Sequence, residues 1–243
     1  MTKTRIDKLL VDRGLVESRE RARALIMTGD VLVEDTPVRK AGTGVDPNAA
    51  VRLRRPPHPF VSRGGVKLNG ALDTLGINPE GWITADIGSS TGGFTHCLLI
   101  RGAHRVYAVD VDTTQLDWKL QTDTRVTQIE GNARYMEPDW MPEPVDMVTV
   151  DVSFISLDKI LPAVSGMLSK GACCLALVKP QFEVGRTKVP RGGVVTDPVL
   201  HDEAVASVIS GAEELGLQHR ATCPSSITGK EGNREFFVLL KRQ

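Results

Sequence analysis

Four charged side chains, one just past a proline-rich stretch and three where apolar runs begin or end, are of types that suit the activation of a hydroxyl. Lys67 closes Ser62-Arg-Gly-Gly-Val-Lys67, Asp151 closes Val148-Thr-Val-Asp151, Lys179 closes Leu177-Val-Lys179, and Glu235 directly precedes Phe236–Leu240. Activating a hydroxyl for transfer needs an in-line approach to its electrophile and removal of a poorly acidic proton. A lysine can act as base when burial and a neighbouring cation lower its hold on a proton, and a second lysine supplies that repulsion. Two carboxylates would then orient both ammonium groups and the hydroxyl, so that most of the rate gain comes from positioning. Taken singly, three of the four have plainer readings: Lys67 as a surface lysine, Asp151 as the cap of the following turn, Glu235 as an edge-strand charge. Lys179, at the end of an apolar strand and before Pro180, points to a cleft, and jointly the four favour a site.

Asp86-Ile-Gly-Ser-Ser-Thr-Gly-Gly-Phe94 supplies a second kind of chemistry. A short apolar run precedes it, a helix is expected from Thr95 to Ile100, and Val106-Tyr-Ala-Val-Asp110 reads as a buried strand tipped by an acid. Strand, glycine turn, helix and acid-tipped strand form a nucleotide-type binding unit, in which glycines admit a ligand close to the backbone and the acid accepts from ribose hydroxyls. The spacing is not GxGxxG, which favours S-adenosylmethionine over a dinucleotide. The candidate cofactor residues are Asp86, Gly88, Ser90, Gly92, Gly93, Phe94, Asp110, Asn132 and Asp151.

These residues need a frame. The spacing predicts two short helices at the start, one with apolar Ile6, Leu9, Leu10 and Val11 that stops at Gly14, and one capped by Ser18 with Ala22, Leu25 and Ile26 that ends at Gly29. Strands are expected at Val31–Val33, Val38–Arg39 and Val51–Leu53, with turns at Asp35–Pro37 and Gly42–Asn48. Residues 1–60 carry 12 Lys/Arg against 8 Asp/Glu and the remainder 18 against 22, so a basic head precedes a mildly acidic body. That asymmetry suits a head that meets a polyanion, or a charged solvated surface. Arg54-Arg-Pro-Pro-His-Pro59 reads as a semi-rigid hinge. Beyond it, strands at Val106–Asp110, Val126–Glu130, Val145–Val150, Cys173–Val178, His219–Cys223 and Phe236–Leu240 alternate with helices, as a doubly wound α/β sheet of six or seven strands requires. Asp86, Asp110, Asp151 and Lys179 then share the rim at the carboxyl ends of the strands. The expected division is a head at 1–55, a hinge at 56–61 and a body at 62–243.

Cys97, Cys173, Cys174 and Cys223 lack paired metal spacing, so no metal site or disulfide is expected and a reducing cytoplasm fits. No apolar run approaches the ~18 residues of a membrane span, and no signal sequence is read at the start. Trp118 is expected to pack in the core or on a helix face, and Phe154 and Phe182 to shape the cleft or stack on a base.

The head resembles the S4 RNA-binding domain through Arg5-Ile-Asp-Lys-Leu-Leu10, Arg13-Gly14, Ser18-Arg19, Ala22, Ile26 and Gly29-Asp-Val-Leu-Val33. That resemblance makes Arg5, Lys8, Arg19 and Arg23 candidate phosphate contacts. It departs at Glu34-Asp35, where many S4 domains have Asn-Gly, a change expected to alter the turn more than the binding face. The whole chain resembles the TlyA (hemolysin A-type) family of ribosomal RNA 2′-O-methyltransferases, which join an S4 domain to an FtsJ/RrmJ-like catalytic domain. The segments that carry this are Ser62–Leu68, Asp86–Thr95, Tyr107–Val111, Gln115–Leu120, Asp151–Ser156, Val178–Glu183 and Gly192–Val195. The resemblance implies a Rossmann-like S-adenosylmethionine-dependent methyltransferase sheet behind a small α+β S4 domain. It also implies 2′-O-methylation of a cytidine in ribosomal RNA, with the family's Lys-Asp-Lys-Glu tetrad on Lys67, Asp151, Lys179 and Glu235.

Arg63, Arg186, Lys188 and Arg191 are further candidate RNA contacts, with a solvated loop as the plainer reading of the last three. Asp112 stands where the family often has glycine and is expected either to crowd the cofactor or to point to solvent. The chain stops three residues after its final strand, as in short family members associated with the large subunit, so 23S rRNA within the 50S subunit is the favoured partner, ahead of 16S. No DNA or membrane partner is expected, and the chain is expected to act as a monomer. The rival functions are a non-catalytic RNA-binding ribosome assembly factor, a cytolysin and a dinucleotide-dependent dehydrogenase. The last is disfavoured by the missing GxGxxG.

Overall fold

The structure, a computed structural model, describes residues 3–16, 18–54 and 58–243. Arg55, Pro56 and Pro57 of the expected hinge lie outside the described residues. The chain forms two compact units, Met1–Pro59 and Phe60–Gln243.

The smaller unit runs β1 (Thr4–Arg5), α1 (Ile6–Asp12), α2 (Arg19–Thr28), β2 (Val31–Val33), β3 (Thr36–Pro37), β4 (Gly44–Val45) and β5 (Val51–Leu53). Strand β1 pairs with β4, and β2 lies between β3 and β5. The Ser18 hydroxyl accepts the Arg21 N–H at the start of α2, and Gly29 at φ 76° ends it in the left-handed conformation that costs glycine nothing. Ile6, Leu9, Leu10, Ala22 and Ile26 close over Val31 and Val45, which makes the apolar stripes of both helices one core.

The hairpin differs from expectation. Its turn is Glu34-Asp35, with Val33 paired to Thr36, so β3 is Thr36–Pro37 rather than Val38–Arg39. Both turn residues have positive φ, 48° and 61°, the geometry that matches strand twist but that glycine and asparagine adopt most readily. Side chains hold it: Glu34 Oε1 accepts the Ala50 N–H at 2.7 Å, and Asp35 pairs with Arg52 at 2.7 Å.

The larger unit runs α3 (Gly64–Leu75), β6 (Ile83–Ile87), α4 (Gly93–Ile100), β7 (Arg105–Asp110), α5 (Trp118–Gln121), β8 (Val126–Glu130), β9 (Val145–Val150), α6 (Leu161–Met167), β10 (Leu168–Val178), α7 (Pro180–Glu183), α8 (Pro198–Glu214), β11 (Leu217–Pro224) and β12 (Phe236–Arg242). Its seven strands are ordered β11-β12-β10-β9-β6-β7-β8. Strands β6 to β10 pair in parallel, and β12 runs antiparallel between β10 and β11. The central strands are apolar without interruption because both faces are covered. Alternate residues of β10 show the two faces: Cys174, Ala176 and Val178 join one core with Val164, Ala204 and Val208, while Leu175 and Leu177 join another with Leu68, Leu72 and Leu98. Phe60 is buried in the second core and Val61 packs beside it, so both belong to the body rather than to the hinge. Among the described residues, no helix is long and apolar enough to cross a membrane.

The order reverses between β6 and β9: β7 and β8 continue on one side, β9 and β10 on the other. The crevice at the carboxyl ends of β6 and β9 is the position at which open sheets of this kind take ligands.

The strained hairpin gives the first prediction. Asp35→Gly removes a left-handed non-glycine residue and only an exposed ion pair, and should stabilise the smaller unit by about 0.5–1 kcal/mol. Native-state hydrogen exchange at the Val38 amide, which donates to the Val31 carbonyl, reads the change as slower exchange.

Candidate active site

At the crevice, the Asp151 N–H donates to the Ile87 carbonyl at 2.9 Å, one step beyond the last paired residues of β6 and β9. The chains come this close because residue 88 is glycine: a Cβ there would lie 2.5 Å from the Asp151 carbonyl oxygen. The register of β10 with β12 pairs Val178 with Phe236, and one step further sets Lys179 opposite Glu235. Topology thus delivers three of the four charged residues to one rim, and α3 brings the fourth, Lys67.

The four form two ion pairs. Lys67 Nζ donates to Glu235 Oε2 at 2.5 Å, and Lys179 Nζ lies 2.7 Å from Asp151 Oδ1. Lys179 and Glu235 are only 7% and 4% exposed, a burial that charged side chains tolerate when paired. Removing one partner would strand the other charge, at a cost of about 3–5 kcal/mol for a buried pair. Each lysine therefore has its own carboxylate, where the sequence suggested lysine–lysine repulsion. Lys179 Nζ also donates to Ser153 Oγ at 2.9 Å, a partner the sequence reading missed.

The loop before β12 is pinned to its surroundings. Asn233, buried, donates to the Gly193 carbonyl and accepts the Val195 N–H, both at 2.9 Å. Ser226 Oγ donates to the Val66 carbonyl at 3.1 Å, and Arg63 Nη2 to the Thr228 carbonyl at 3.0 Å. Arg63, a candidate RNA contact, is thus half-buried and holds this loop. Gly229 has to be small, since a Cβ there would lie 2.6 Å from Glu235 Oε1.

The glycine turn is built differently from expectation. Asp86 is fully buried, accepting the Thr95 N–H at 2.9 Å and hydroxyl at 2.7 Å on one oxygen and the Thr149 hydroxyl at 3.1 Å on the other. It braces the start of α4 against β9 and does not face a cofactor. Burial pushes its carboxyl up to about 7, against the opposing pull of the Thr95 and Thr149 hydroxyls. Glycines 92 and 93 answer to protein contacts as well: a Cβ at Gly92 would meet Leu120 at 2.2 Å, and one at Gly93 would meet Ser62 Oγ at 2.3 Å. Phe94 is buried and packs on Phe237, ring centroids 6.0 Å apart, so it is core rather than cofactor pocket. Ser90 is exposed at φ 47°.

Asp110, at the tip of β7, accepts the Ser90 N–H at 2.9 Å and the Asp112 N–H at 3.2 Å, one on each oxygen. Each oxygen keeps a further lone pair. Asp112 turns to its own loop, accepting the Thr114 hydroxyl at 2.5 Å, the Thr114 N–H at 3.0 Å and the Gln115 amide at 3.2 Å. The Thr114 hydroxyl bond holds its carboxyl below the usual range. Asn132 is exposed and caps the following turn through the Arg134 N–H. Trp118 is 71% exposed, contrary to its expected packing, because α5 is a single turn with only Leu120 buried.

Phe154, 92% exposed and at φ 65°, lies with its ring 5.3 Å from that of Phe182. Glu183 accepts the Ser156 hydroxyl at 2.6 Å and the Leu157 N–H at 3.1 Å, tying loop 151–157 to α7. Arg186 and Arg191 are exposed, and Lys188, also exposed, pairs with Glu203.

In the smaller unit, Asp7 is completely buried and gathers three arginines: Arg5 through two bonds of 3.0 and 3.1 Å, Arg19 at 2.8 Å and Arg23 at 3.7 Å. The Arg5 bonds hold its carboxyl well below the usual range. About half of each arginine side chain remains exposed, so three of the four candidate phosphate contacts form one patch, with Lys8 exposed one residue after Asp7.

The model of the FtsJ-like methyltransferase family matches residues 60–242 and that of the S4 domain residues 4–51. The chain is 44% identical over 243 residues to the 16S/23S rRNA (cytidine-2′-O)-methyltransferase TlyA of Mycobacterium tuberculosis, covering 99% of this chain and 91% of that protein. It is 37% identical over 180 residues to the 23S rRNA (cytidine-2′-O)-methyltransferase TlyA of Campylobacter jejuni, covering 73% and 69%. A solved hemolysin-named protein of Streptococcus thermophilus is 41% identical with a TM-score of 0.78, covering all of this chain and 90% of that one.

Two predictions follow from the turn. Gly88→Ala combines a left-handed φ of 85° with a backbone clash and should cost about 2 kcal/mol or more of stability, read by urea denaturation. Asp86 keeps its proton to about pH 7 in the folded state, against an ordinary value of 3.8. The folded state therefore binds more protons between about pH 4 and 7, so Asp86 lowers stability progressively as pH rises through that window. Asp86→Asn keeps the acceptor for Thr95 and should remove this decline: its Tm should exceed the wild-type value at pH 8, with the difference fading towards pH 4.

Proposed function

Since the chain belongs to the FtsJ-like methyltransferases, in the TlyA/hemolysin A-type group that carries an S4 domain ahead of the catalytic body, we propose that it methylates the 2′-hydroxyl of a cytidine in ribosomal RNA with S-adenosylmethionine as donor. The observation that carries this reading is the pair of buried lysine–carboxylate contacts at the crevice where β6 and β9 diverge. A solvated surface charge needs no such burial, whereas a group that must meet a hydroxyl away from bulk water does.

The residues present fit the donor. Asp110 retains an acceptor position on each oxygen for ribose hydroxyls. Asp151 Oδ1 is buried without an aligned donor among the described residues, since its contact with Lys179 is an ion pair out of line for a hydrogen bond. Asn132 lies just past β8 and its cap uses only its amide oxygen, leaving the amide N–H groups for a ligand. S-adenosylmethionine supplies, when bound, a methyl carbon made electrophilic by the sulfonium.

Lys179, as the neutral amine, is the group that takes the hydroxyl proton, and Asp151 balances the charge of the ammonium so formed. The Lys67–Glu235 pair sets a fixed cation and carboxylate beside it, which hold the ribose in line. Phe154 offers an exposed ring on which a base stacks. The patch of Arg5, Arg19 and Arg23 with Lys8, and the exposed Arg186 and Arg191, bind phosphates without reading sequence. Large-subunit rRNA is the substrate common to the names of both TlyA relatives, which makes the 50S subunit the first substrate to test. Such a substrate sets the work of the protein in the cytoplasm.

Transfer of radiolabelled methyl from S-adenosylmethionine to purified 30S and 50S subunits tests this. Label should enter 50S rRNA at cytidine 2′-O, and Lys179→Ala, checked for fold by circular dichroism, should lower the rate about 100-fold or more. A folded, RNA-binding wild-type protein that labels neither subunit would establish an assembly factor instead.

A further inference from the structure

Lys179 Nζ has two polar partners among the described residues, and they act differently. Asp151 Oδ1 is close, at 2.7 Å, but out of line for a hydrogen bond, so it supplies charge without direction. Ser153 Oγ, at 2.9 Å, accepts an aligned hydrogen bond. The serine hydroxyl therefore receives the one aligned hydrogen bond of Nζ among the described residues.

We propose that Ser153 is a positioning residue for Lys179: by accepting one N–H it fixes the rotation of Nζ so that the position facing neither Ser153 nor Asp151 is presented to the substrate hydroxyl. This rests on the methyl-transfer reading above. Nitrogen in a lysine side chain is tetrahedral and turns freely about its last carbon bond, so a single off-line ion pair leaves that rotation open. One aligned bond closes it.

Several features hold Ser153 where it can do this. Loop 151–157 is anchored at its start by the Asp151 N–H on the Ile87 carbonyl and near its end by the Ser156 and Leu157 bonds to Glu183. Between the anchors, Phe154 is kept at φ 65°, a conformation that an aromatic residue adopts only under constraint from its surroundings. That turn directly follows Ser153. Nothing about the fold itself requires the hydroxyl: Ser153 is exposed, and the bond from Lys179 is the one hydrogen bond of its side chain among the described residues. A serine serving only stability would be expected to bond its own turn, as Ser156 and Ser18 do.

The test compares Ser153→Ala, Ser153→Cys and Ser153→Thr with the wild type in methyl transfer to 50S subunits. Alanine removes the acceptor, cysteine keeps the size but accepts poorly, and threonine keeps the hydroxyl. Alanine and cysteine should lower kcat about tenfold with KM for both substrates within about twofold, while threonine stays within about threefold of wild type. Affinity for S-adenosylhomocysteine by calorimetry, and Tm, should be unchanged in all three. An unslowed Ser153→Ala overturns the proposal, as do a loss carried by KM with kcat unchanged and equal losses in alanine and threonine with fold and cofactor binding intact. Those outcomes leave the methyl-transfer reading standing. Wild-type protein that labels neither subunit overturns that reading first, and this inference with it.

Discussion

The body is organised around one backbone contact, the hydrogen bond from the Asp151 N–H to the Ile87 carbonyl at the point where the strand order reverses. A parallel sheet opens there because the connections on either side lead to opposite edges. The bond forms only because residue 88 carries no side chain to collide with the Asp151 carbonyl. From it the rest follows in steps. Asp151 stands at the crevice, Lys179 emerges from the neighbouring strand within 2.7 Å of it, and the loop after Asp151 returns Ser153 to the same ammonium. Asp86 braces the other side by tying α4 to β9 through Thr95 and Thr149.

Two aspartates with no exposed surface end in opposite states, the Arg5 bonds deciding at Asp7 and desolvation deciding at Asp86. Asp7 is surrounded by guanidinium groups, chiefly that of Arg5, and remains ionised. Asp86 has hydroxyls and a backbone N–H for partners, which stabilise a carboxylate too weakly to offset its desolvation, so its carboxyl rises to about 7. The first holds three arginines in a patch that faces solvent. The second needs no charge at all to do its work, since a protonated carboxyl and its two hydroxyl neighbours can still brace the turn.

Much of this was legible in the sequence, for identifiable reasons. The buried strands of the body are long apolar runs bounded by turns, and the seven-stranded order matches what alternating strands and helices require. Asp151, Lys179 and Glu235 stood out because charges at the ends of apolar strands rarely occur without a partner, and Lys67 through the family resemblance of Ser62–Leu68. What could not be read were pairings and directions. Phe94, expected at the cofactor, is core because α4 begins two residues earlier than expected, at Gly93, while Trp118, expected in the core or packed on a helix face, is exposed on a helix too short to show a period. The glycines of the turn were explained by a ligand, yet Gly88, Gly92 and Gly93 are each required by a protein neighbour that only the fold brings near. Ser153 carried no signal: a serine two residues after an acid is ordinary until the backbone turns it towards Lys179. Likewise nothing in the sequence singles out Asp7, on which three arginines close only in the fold.

The two lysines of the rim are held by different devices, and the difference bears on which of them moves a proton. In the Lys67–Glu235 pair one carboxylate oxygen provides charge and direction together, in an aligned bond of 2.5 Å. Such a pair makes a fixed cation, suited to holding an oxygen of the substrate in place, and shifting its proton would cost the charge-assisted bond. At Lys179 the two functions are divided: Asp151 lies close but out of line, and the directional bond goes to a neutral hydroxyl. A neutral hydroxyl holds the nitrogen in orientation whether it is an ammonium or an amine, because serine can accept in the first case and either accept or donate in the second. Only this arrangement lets the nitrogen change its protonation without losing its direction. It is the physical reason behind the proposal that Lys179 takes the hydroxyl proton and Lys67 holds the substrate.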